Sequence, residues 1–391
     1  MVSAPTTLEA PQGRVELLRH RHDSSQPLRA WDAADEYLLA HLDEVDRVRA
    51  HDAAPDSTAP RVLVLNDSFG ALAVALAFAE PVCVSDSVVS QLATRANLQR
   101  NGLRPDAVRL RSAFEPFTAL GDQDVVVMRV PLSLAQLEDQ LHRLRPLLHP
   151  HTEVVAGGMT KHVHNSTIEL FERIIGPTPT SPARKKARLL HPAFDPDLSS
   201  GPSPHPTSFV LPGGHTVVNH AGVFSAGRVD QGTQLLLDHL RVLDDERTAV
   251  DLGCGSGVIA LHLAMQSPEL QVLCVDASYA AVASAGATFD QAFGDRHRAS
   301  FDAADGLEAV GPAGVDLVVT NPPFHADRSR GDAVAWRFFQ EARHVLRPGG
   351  RLVVVGNRHL GYHAKMRRLF GNVEVMASDP KFVALASRKR R

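Results

Sequence analysis

The chain has 391 residues, of which 44% are hydrophobic and 22% are charged, and its formal net charge is −3. This length suffices for two ordinary domains, and the composition excludes an extensively disordered chain. The small negative charge excludes a generally basic nucleic-acid-binding protein, so any contact with nucleic acid has to come from local patches.

The sequence gives no sign of export or membrane insertion. No apolar run approaches the ~18 residues of a membrane span, and the first 14 residues do not resemble a signal peptide. The three cysteines, Cys83, Cys254 and Cys274, have neither disulfide nor metal-ligand spacing. They are typical of buried thiols in a reduced protein, so we expect a cytoplasmic location.

The first half of the chain alternates apolar runs with helical patterns from about residue 28 onward. The runs cover residues 62–65, 124–130 and 153–158, and a further one ends at Val84-Ser85-Asp86. Strands that alternate with helices predict βα units and a parallel sheet.

A proline-rich stretch, residues 176–214, separates the two halves. Its prolines exclude a long helix: they are Pro177, Pro179, Pro182, Pro192, Pro196, Pro202, Pro204, Pro206 and Pro212. The basic cluster Arg184-Lys185-Lys186-Ala187-Arg188 within it either contacts phosphates or belongs to a solvated linker. A second basic run, residues 387–391, is more typical of a frayed tail. We predict an N-terminal extension over residues 1–27, a first domain over 28–190, a linker over 191–214 and a second domain over 215–391.

The second half begins with a strand that runs into a glycine-rich turn. Asp251 is followed by Gly253, Gly255 and Gly257, and a helical pattern starts at Val258. Glycines permit positive φ and a close approach of the backbone to a ligand. Such a turn is by itself a weak signal, which dinucleotide and phosphate sites share.

Two acidic residues follow at the ends of the next strands. Asp276 ends the run 271–276, where it is well placed to accept hydrogen bonds from two ribose hydroxyls. Asp305 lies where a third strand ends, and its carboxylate could bind an adenine amino group. Open parallel α/β sheets bind their ligands at this edge.

The most informative stretch is Asn321-Pro322-Pro323-Phe324, which follows the apolar run 315–320. The Asn321 oxygen and a backbone carbonyl can each accept an N–H from an amino group on a planar, conjugated carbon. The two prolines stiffen the loop, and Phe324 offers a face on which a flat base can stack. This combination predicts methylation of such an amino nitrogen.

The two halves are copies of one pattern, and the first copy lacks the chemical groups of the second. When Gly70 is aligned with the start of the second helix, Val64 replaces Asp251, and Asn66 and Ser68 replace Gly253 and Gly255. Arg129 stands at the place of Asn321 and Leu132 at that of Phe324, whereas Asp86 matches Asp276. Because arginine cannot accept a hydrogen bond, we expect the first copy to bind substrate or support the second. Asp86 leaves vestigial nucleotide binding open.

Taken together, the strand-end motifs resemble those of class I methyltransferases dependent on S-adenosylmethionine. The fold class expected is α/β, with two tandem Rossmann-like methyltransferase domains of which the N-terminal one is degenerate. Asp251, Gly253, Gly255, Gly257, Asp276 and Asp305 are the predicted cofactor-binding residues, and Asn321, Pro322, Pro323 and Phe324 the predicted catalytic ones.

Further strings resemble one family within this class, the bacterial 23S rRNA guanine-N2 methyltransferase G family, close to the 16S rRNA guanine-N2 methyltransferase C family. The strings are residues 30–39, 65–72, 164–167, 185–189, 219–225, 321–325 and 356–360. The resemblance implies transfer of a methyl group from S-adenosylmethionine to the 2-amino group of a guanine in a loop of 23S rRNA, or flipped out of a duplex. It also implies that Phe224 lies near the cofactor. The N-terminal segment to Gln26 and the insert between Leu190 and Val210 depart from the family pattern.

Other interpretations remain open for single residues. Asp251 could cap a helix, Asn321 could be a turn residue, Phe324 could be part of the core and Phe224 a hydrophobic anchor. The pairs His162/His164 and His359/His363 have spacings that suit a metal. They lack nearby acidic or cysteine partners, so we expect no metal cofactor.

Several competing functions also remain. A 16S rRNA enzyme, a DNA adenine methyltransferase and a protein-glutamine methyltransferase would use the same tetrapeptide. The DNA enzyme usually needs a recognisable target-recognition domain, whereas the first half here is a methyltransferase-like copy, so we expect no DNA partner. The protein-glutamine enzyme commonly has Tyr in the last position of the tetrapeptide and a small helical N-terminal domain, which this sequence lacks. A non-catalytic RNA-binding assembly factor is the alternative of a different class. We expect a monomer with no membrane partner.

Overall fold

Two units make up the fold, Met1–His205 and Pro206–Arg391. The computed structural model describes residues 4–21, 28–45, 60–294, 298–323 and 328–390, and only the backbone of 328–330.

The first unit contains eight strands and five α-helices in its described residues. In chain order they are β1 (Thr7–Ala10), β2 (Gly13–Glu16), α1 (Ala33–Glu44), β3 (Val62–Leu65), α2 (Ala71–Ala75), β4 (Val82–Ser85), α3 (Val88–Arg100), β5 (Arg109–Ser112), β6 (Val125–Arg129), α4 (Leu134–Leu144), β7 (Glu153–Met159), α5 (Asn165–Ile174) and β8 (Ala187–Leu190). Six strands form one sheet in the order β5-β4-β3-β6-β7-β8, in which only β8 is antiparallel to its neighbour. Strands β3 and β4 are buried throughout, and all their residues except Ser85 are apolar, as expected of parallel strands covered on both faces.

The second unit repeats this architecture. Its elements are β9 (Thr207–Val210), β10 (Thr216–Asn219), α6 (Gln231–His239), β11 (Thr248–Leu252), α7 (Val258–Gln266), β12 (Gln271–Asp276), α8 (Tyr279–Phe293), β13 (Ala299–Ala303), β14 (Val315–Thr320), α9 (Arg328–Val345), β15 (Leu346–Asn357), α10 (Tyr362–Phe370), β16 (Glu374–Ser378) and β17 (Phe382–Arg388). Its large sheet has the order β13-β12-β11-β14-β15-β17-β16, and β17 is antiparallel to both neighbours. The first six strands follow the same spatial order as those of the first unit, which confirms the predicted tandem α/β fold.

Strand pairing corrects one detail of the predicted repeat. In β3, Val64 pairs with Cys83, and in β11 the equivalent Asp251 pairs with Cys274. Two positions further on, Ser85 therefore corresponds to Asp276, so the predicted match between Asp86 and Asp276 is wrong by one residue. The hydrogen bonds agree: Ser85 Oγ accepts from Ser87 N at 3.0 Å, and Asp276 Oδ1 accepts from Ser278 N at 3.0 Å.

The segments outside the predicted domains have structure of their own. Before residue 28, β1 and β2 form a hairpin whose Leu8 and Val15 are buried in the core of the first unit. The residues from Gly176 to Gly214 contain no helix, as the prolines predicted. Within this stretch, Arg184 and Lys185 form ion pairs with acidic residues of α1, at 3.3 Å with Glu44 and 2.7 Å with Glu36. These two cations thus belong to the first unit.

The three cysteines are buried and free, as predicted. No helix in the described part of the chain is both long and apolar enough to cross a membrane.

Candidate active site of the second unit

The glycine turn after β11 has two glycines with space around them and one that is packed. Gly253 and Gly255 have φ values of +76° and +53°, and a Cβ added at Gly255 would meet no atom within 4 Å. At Gly257, an added Cβ would lie 2.9 Å from Ala285 Cα. Gly257 therefore permits the packing of α7 on α8, whereas Gly253 and Gly255 leave the backbone accessible to a ligand.

Asp251 is fully buried near the end of β11, directly beneath this turn. Its Oδ2 accepts a hydrogen bond from Ala260 N, in the first turn of α7, at 3.0 Å, so the predicted capping role is present. Its Oδ1 is also buried, yet it has no hydrogen-bond partner among the described residues. Burial, and in addition the charge of Asp276, raises the pKa of Asp251 to about 7. An unpaired buried carboxylate oxygen is costly, and a cationic ligand group would satisfy it.

Asp276, at the end of the neighbouring strand β12, holds the turn from the other side. Its Oδ2 accepts from Gly255 N at 3.1 Å and its Oδ1 from Ser278 N at 3.0 Å. Burial raises the pKa of this carboxyl, while the backbone donors oppose the shift. Because each carboxylate oxygen can accept two bonds, Asp276 can fix the glycine turn and still accept from ribose hydroxyls.

Asp305 has a different set of contacts from the one expected. Its Oδ1 lies 2.6 Å from Arg337 Nη2, and Arg337 Nη1 donates to the Asp305 carbonyl at 2.9 Å and to Glu341 Oε1 at 3.1 Å. The carboxylate thus anchors α9 to the loop after β13. A contact with an adenine amino group stays a prediction and would have to share this carboxylate with Arg337.

Asn321 follows β14, which lies on the other side of β11. Its Nδ2 donates to Thr233 Oγ1 at 3.0 Å and is 3.4 Å from Asp230 Oδ2, so the amide nitrogen is held by α6. Its Oδ1 is buried and has no hydrogen-bond partner among the described residues. The amide therefore presents, within the described part of the chain, an unoccupied acceptor in a fixed orientation. Pro322 is buried and Pro323 is exposed, whereas Phe324 lies outside the described residues.

Sequence reasoning did not assign the roles of Asp230 and Thr233. Asp230 caps α6 by accepting from Gly232 N and Thr233 N at 3.0 and 3.2 Å, and it also faces Asn321. The N-cap signal is visible in the sequence, but nothing there connects it to a residue about 90 positions away.

Phe224 lies in a turn before α6, where the residue is 52% exposed. Its neighbour Val223 is buried, so the hydrophobic anchor of this turn is Val223. The predicted contact of Phe224 with a cofactor stays a prediction.

Four predicted positions thus follow one another along the carboxyl edge of the sheet. In the order β13, β12, β11 and β14, these strands bring Asp305, Asp276, Asp251 and Asn321 to that edge.

The chain matches two family descriptions, "RLMG N-terminal domain" over residues 5–196 and "Methyltransferase small domain" over residues 214–386. The first match includes residues 5–26, which is most of the N-terminal segment that was predicted to depart from the family, but it ends within the insert between Leu190 and Val210.

Full-length relatives share nearly half of its residues. A protein of Streptomyces avermitilis named "Ribosomal RNA large subunit methyltransferase G" is 49% identical over 389 residues, which is 98% of this chain and 99% of that protein. A protein of Pseudomonas putida with the same name is 47% identical over 385 residues, 98% of this chain and 99% of that protein.

Among solved structures, the T. thermophilus 16S rRNA N2 G1207 methyltransferase, in complex with AdoMet and guanosine, superposes with a TM-score of 0.73. It is 24% identical and the match covers 98% of both chains, which establishes the tandem fold.

Proposed function

Because this chain belongs to the ribosomal RNA large subunit methyltransferase G family, we propose that it transfers a methyl group from S-adenosylmethionine to the exocyclic 2-amino group of a guanine in 23S rRNA. The observation that supports this reaction best is the buried Asn321 Oδ1, which lacks a partner among the described residues while the amide nitrogen is held by Thr233.

The residues at the strand ends fit S-adenosylmethionine. The buried Oδ1 of Asp251 is an acceptor that the ammonium group of the cofactor's methionine part would satisfy, directly or through water. The space above Gly255 admits that part of the molecule, and Asp276 accepts from its ribose. When bound, the cofactor supplies an electrophilic sulfonium methyl group, so the protein has mainly to position the acceptor nitrogen.

Asn321 positions that nitrogen. A guanine 2-amino group is a poor nucleophile because its lone pair is delocalised into the ring. Asn321 Oδ1 accepts a hydrogen bond from one of its two N–H groups, and the Pro322 carbonyl accepts one from the other. These two bonds orient the amino group so that its lone pair points toward the methyl group. Because Thr233 and Asp230 hold Nδ2, the amide cannot turn its nitrogen toward the substrate.

The proton balance needs no dedicated base. Attack through the nitrogen lone pair forms the N–C bond as the C–S bond breaks, and the nitrogen then carries a positive charge. Its proton is acidic and passes to water. Phe324, as predicted from the sequence, stacks on the base.

The guanine must lie outside a duplex when it reacts. In a double helix its amino group is stacked and paired, out of reach of a buried acceptor, so a loop or a flipped nucleotide is the substrate. We further propose that a single chain carries out the reaction, without a metal at this site and without DNA as a substrate.

The test is methyl transfer from labelled S-adenosylmethionine to deproteinised 23S rRNA, 16S rRNA and intact ribosomal subunits, all lacking the modification. Products are digested to nucleosides, and an Asn321→Ala protein is measured in parallel. We expect label in 2-methylguanosine from 23S rRNA and not from 16S rRNA, and about 10³-fold slower labelling with the variant.

The other outcomes would identify the competing functions. Label in 16S rRNA would assign the chain to the sister reaction. Binding of S-adenosylmethionine without any labelled RNA would contradict an rRNA substrate, and absence of cofactor binding would favour the non-catalytic assembly factor.

A further inference from the structure

Away from the candidate active site, two histidines and a glutamate of the first unit lie together. His41 is in the last turn of α1, Glu153 begins β7 and His191 follows β8. One ligand atom from each lies within 4.8 Å of the other two, and this is the only group of its kind that the described residues form. The pairs singled out from sequence spacing, His162/His164 and His359/His363, do not form such a group.

The contacts within the group differ from those of a simple ion pair. His41 Nε2 is 3.7 Å from Glu153 Oε1, beyond hydrogen-bond distance, and this buried nitrogen has no hydrogen-bond partner among the described residues. The rings of His41 and His191 are edge to face, with centroids 4.8 Å apart. An ion pair with Glu153 would need only one imidazole, in its protonated form. Here the imidazoles of both His41 and His191 lie close to the same carboxylate.

The electrostatic setting favours neutral imidazole at His191. Burial lowers the pKa of His191, the neighbouring His41 lowers it further, and Glu153 opposes the shift. Neutral imidazole is the form that binds a metal ion. A divalent cation would also neutralise the Glu153 carboxylate and satisfy His41 Nε2.

We propose that His41, Glu153 and His191 bind a divalent transition-metal ion of the zinc type, with water completing the coordination. Two imidazoles and one carboxylate are a ligand set that Zn²⁺ accepts. Ligand atoms around tetrahedral zinc are about 3.4 Å apart, given bond lengths near 2.1 Å. Modest side-chain rotations would bring the three atoms to that spacing.

The site would serve the fold of the first unit. Asp32 caps the first turn of α1, near Arg129 at the carboxyl edge of the sheet, whereas His41 is in the last turn of the same helix. Glu153 is the first residue of β7, so it lies at the opposite edge of the sheet from the carboxyl ends of the strands. A metal here joins α1 to the start of β7 and to the segment after β8, across sequence separations of 112 and 38 residues, and it stabilises the native state to which it binds.

The experiment uses the full chain carrying an affinity tag without histidines. After chelation and dialysis, zinc affinity is measured by competition with a chromogenic chelator, and the metal content of the untreated protein by mass spectrometry. Thermal unfolding is followed with and without zinc. We expect about one zinc per chain and a higher melting temperature with zinc, since a ligand of the native state stabilises it.

Variants locate the site. His191→Ala and His41→Ala should each weaken zinc binding by at least about 100-fold, because losing a direct ligand exceeds the 10–100-fold effect of outer-shell partners. The double variant His162→Ala/His164→Ala, in the same unit, is the matched control and should bind as the wild type does. His191→Asn, with circular dichroism as a folding check, replaces any alanine variant that does not fold.

Two results would overturn the site. One is the absence of zinc binding by the wild type at micromolar concentration. The other is equal zinc binding by the wild type and the folded His191 variants, which would place the metal elsewhere. Neither result bears on methyl transfer, which is measured separately.

Discussion

The two large sheets of this chain share the order of six strands, but the side chains at their carboxyl edges differ in whether they have hydrogen-bond partners. In the second unit the strand ends carry buried acceptors without partners among the described residues, Asp251 Oδ1 and Asn321 Oδ1. In the first unit the equivalent edge is closed by its own side chains. The degenerate copy has therefore lost more than the catalytic groups, because charged side chains at this edge pair with one another.

The closure is visible at Arg129, which replaces Asn321. Its guanidinium is within 2.7–2.9 Å of both Asp32 carboxylate oxygens and 3.1 Å from Asp35 Oδ1. Asp67 accepts four backbone N–H bonds at the start of α2, at 2.8–3.0 Å. At the corresponding helix start of the second unit, Asp251 accepts one such bond, from Ala260 N, and the glycine turn is left open.

The first prediction breaks the open edge. We expect Asn321→Ala to lower the rate of methyl transfer by about 10³-fold, because it removes the acceptor that positions the amine. The affinity for S-adenosylmethionine should stay within twofold, since Asp251 and Asp276 are unchanged. Single-turnover kinetics and calorimetric cofactor titration measure the two effects.

Thr233→Val tests the same site with a smaller expected effect. It removes the 3.0 Å bond to Asn321 Nδ2 at nearly constant volume, so the rate should fall by about tenfold, the value of one hydrogen bond of about 1.4 kcal/mol. Loss of cofactor binding in either variant would instead give Asn321 a structural role.

The second prediction breaks the closed edge. Arg129→Met leaves Asp35 buried without its cation, and removing one partner of a buried pair is expected to lower stability by about 3 kcal/mol. Calorimetric unfolding should show the loss in the unfolding transition of the first unit, with cofactor affinity unchanged. Adding Asp35→Asn should restore part of the stability, whereas no recovery would show that the pair with Asp35 is not the cause.

The third prediction exchanges one residue between the two copies. Asp276→Ser places in the second copy the residue that the first copy has at this position. The serine hydroxyl can still accept a hydrogen bond from Ser278 N, but it cannot accept hydrogen bonds from two ribose hydroxyls. We expect the dissociation constant for S-adenosylmethionine to rise about 30-fold, the value of about 2 kcal/mol for hydrogen bonds to a charged group. Ser85→Asp should create no second binding site, because Asp67 and Arg129 still close that edge. An unchanged affinity of Asp276→Ser would remove ribose binding from the role of Asp276.

Much of this contrast could be predicted from the sequence, because residues at strand ends share one edge of a parallel sheet. Asp251 and Asp276 lie at or near the ends of β-patterned runs and Asn321 directly follows one, so the strands determine where these residues lie. The match of Asp86 to Asp276 failed for a geometric reason. Gly70 and Ser85 are 15 positions apart but Gly257 and Asp276 are 19 apart, so only strand pairing could set the register.

The contacts that run across the fold could not be predicted. Arg337 pairs with Asp305 over 32 positions and Thr233 holds Asn321 over 88. Neither pair shares a helix or strand period, so their meeting depends on tertiary packing. The same holds for His41, Glu153 and His191, which come from three separate elements.

The last prediction concerns the charge of Asp251. Burial raises its pKa from 3.8 to about 7 in the folded protein, so between these values the native state holds a proton that the unfolded chain has lost. Stability contributed by this group therefore falls as pH rises from about 4 to 7, and Asp251→Asn should remove that loss. Cofactor binding has the opposite dependence, because the ammonium group needs the ionised carboxylate.

The affinity for S-adenosylmethionine should increase about tenfold between pH 6 and pH 8 and level off above the pKa, as follows from a single group titrating near 7. Asp251→Asn should bind more weakly and without this dependence. If the pH dependence persists in that variant, Asp276, whose pKa is also raised by burial, is the titrating group. The ionised Asp251 would then have no part in holding the cofactor. At this edge of the second unit, Asp276 would bind the cofactor and Asn321 would position the acceptor nitrogen.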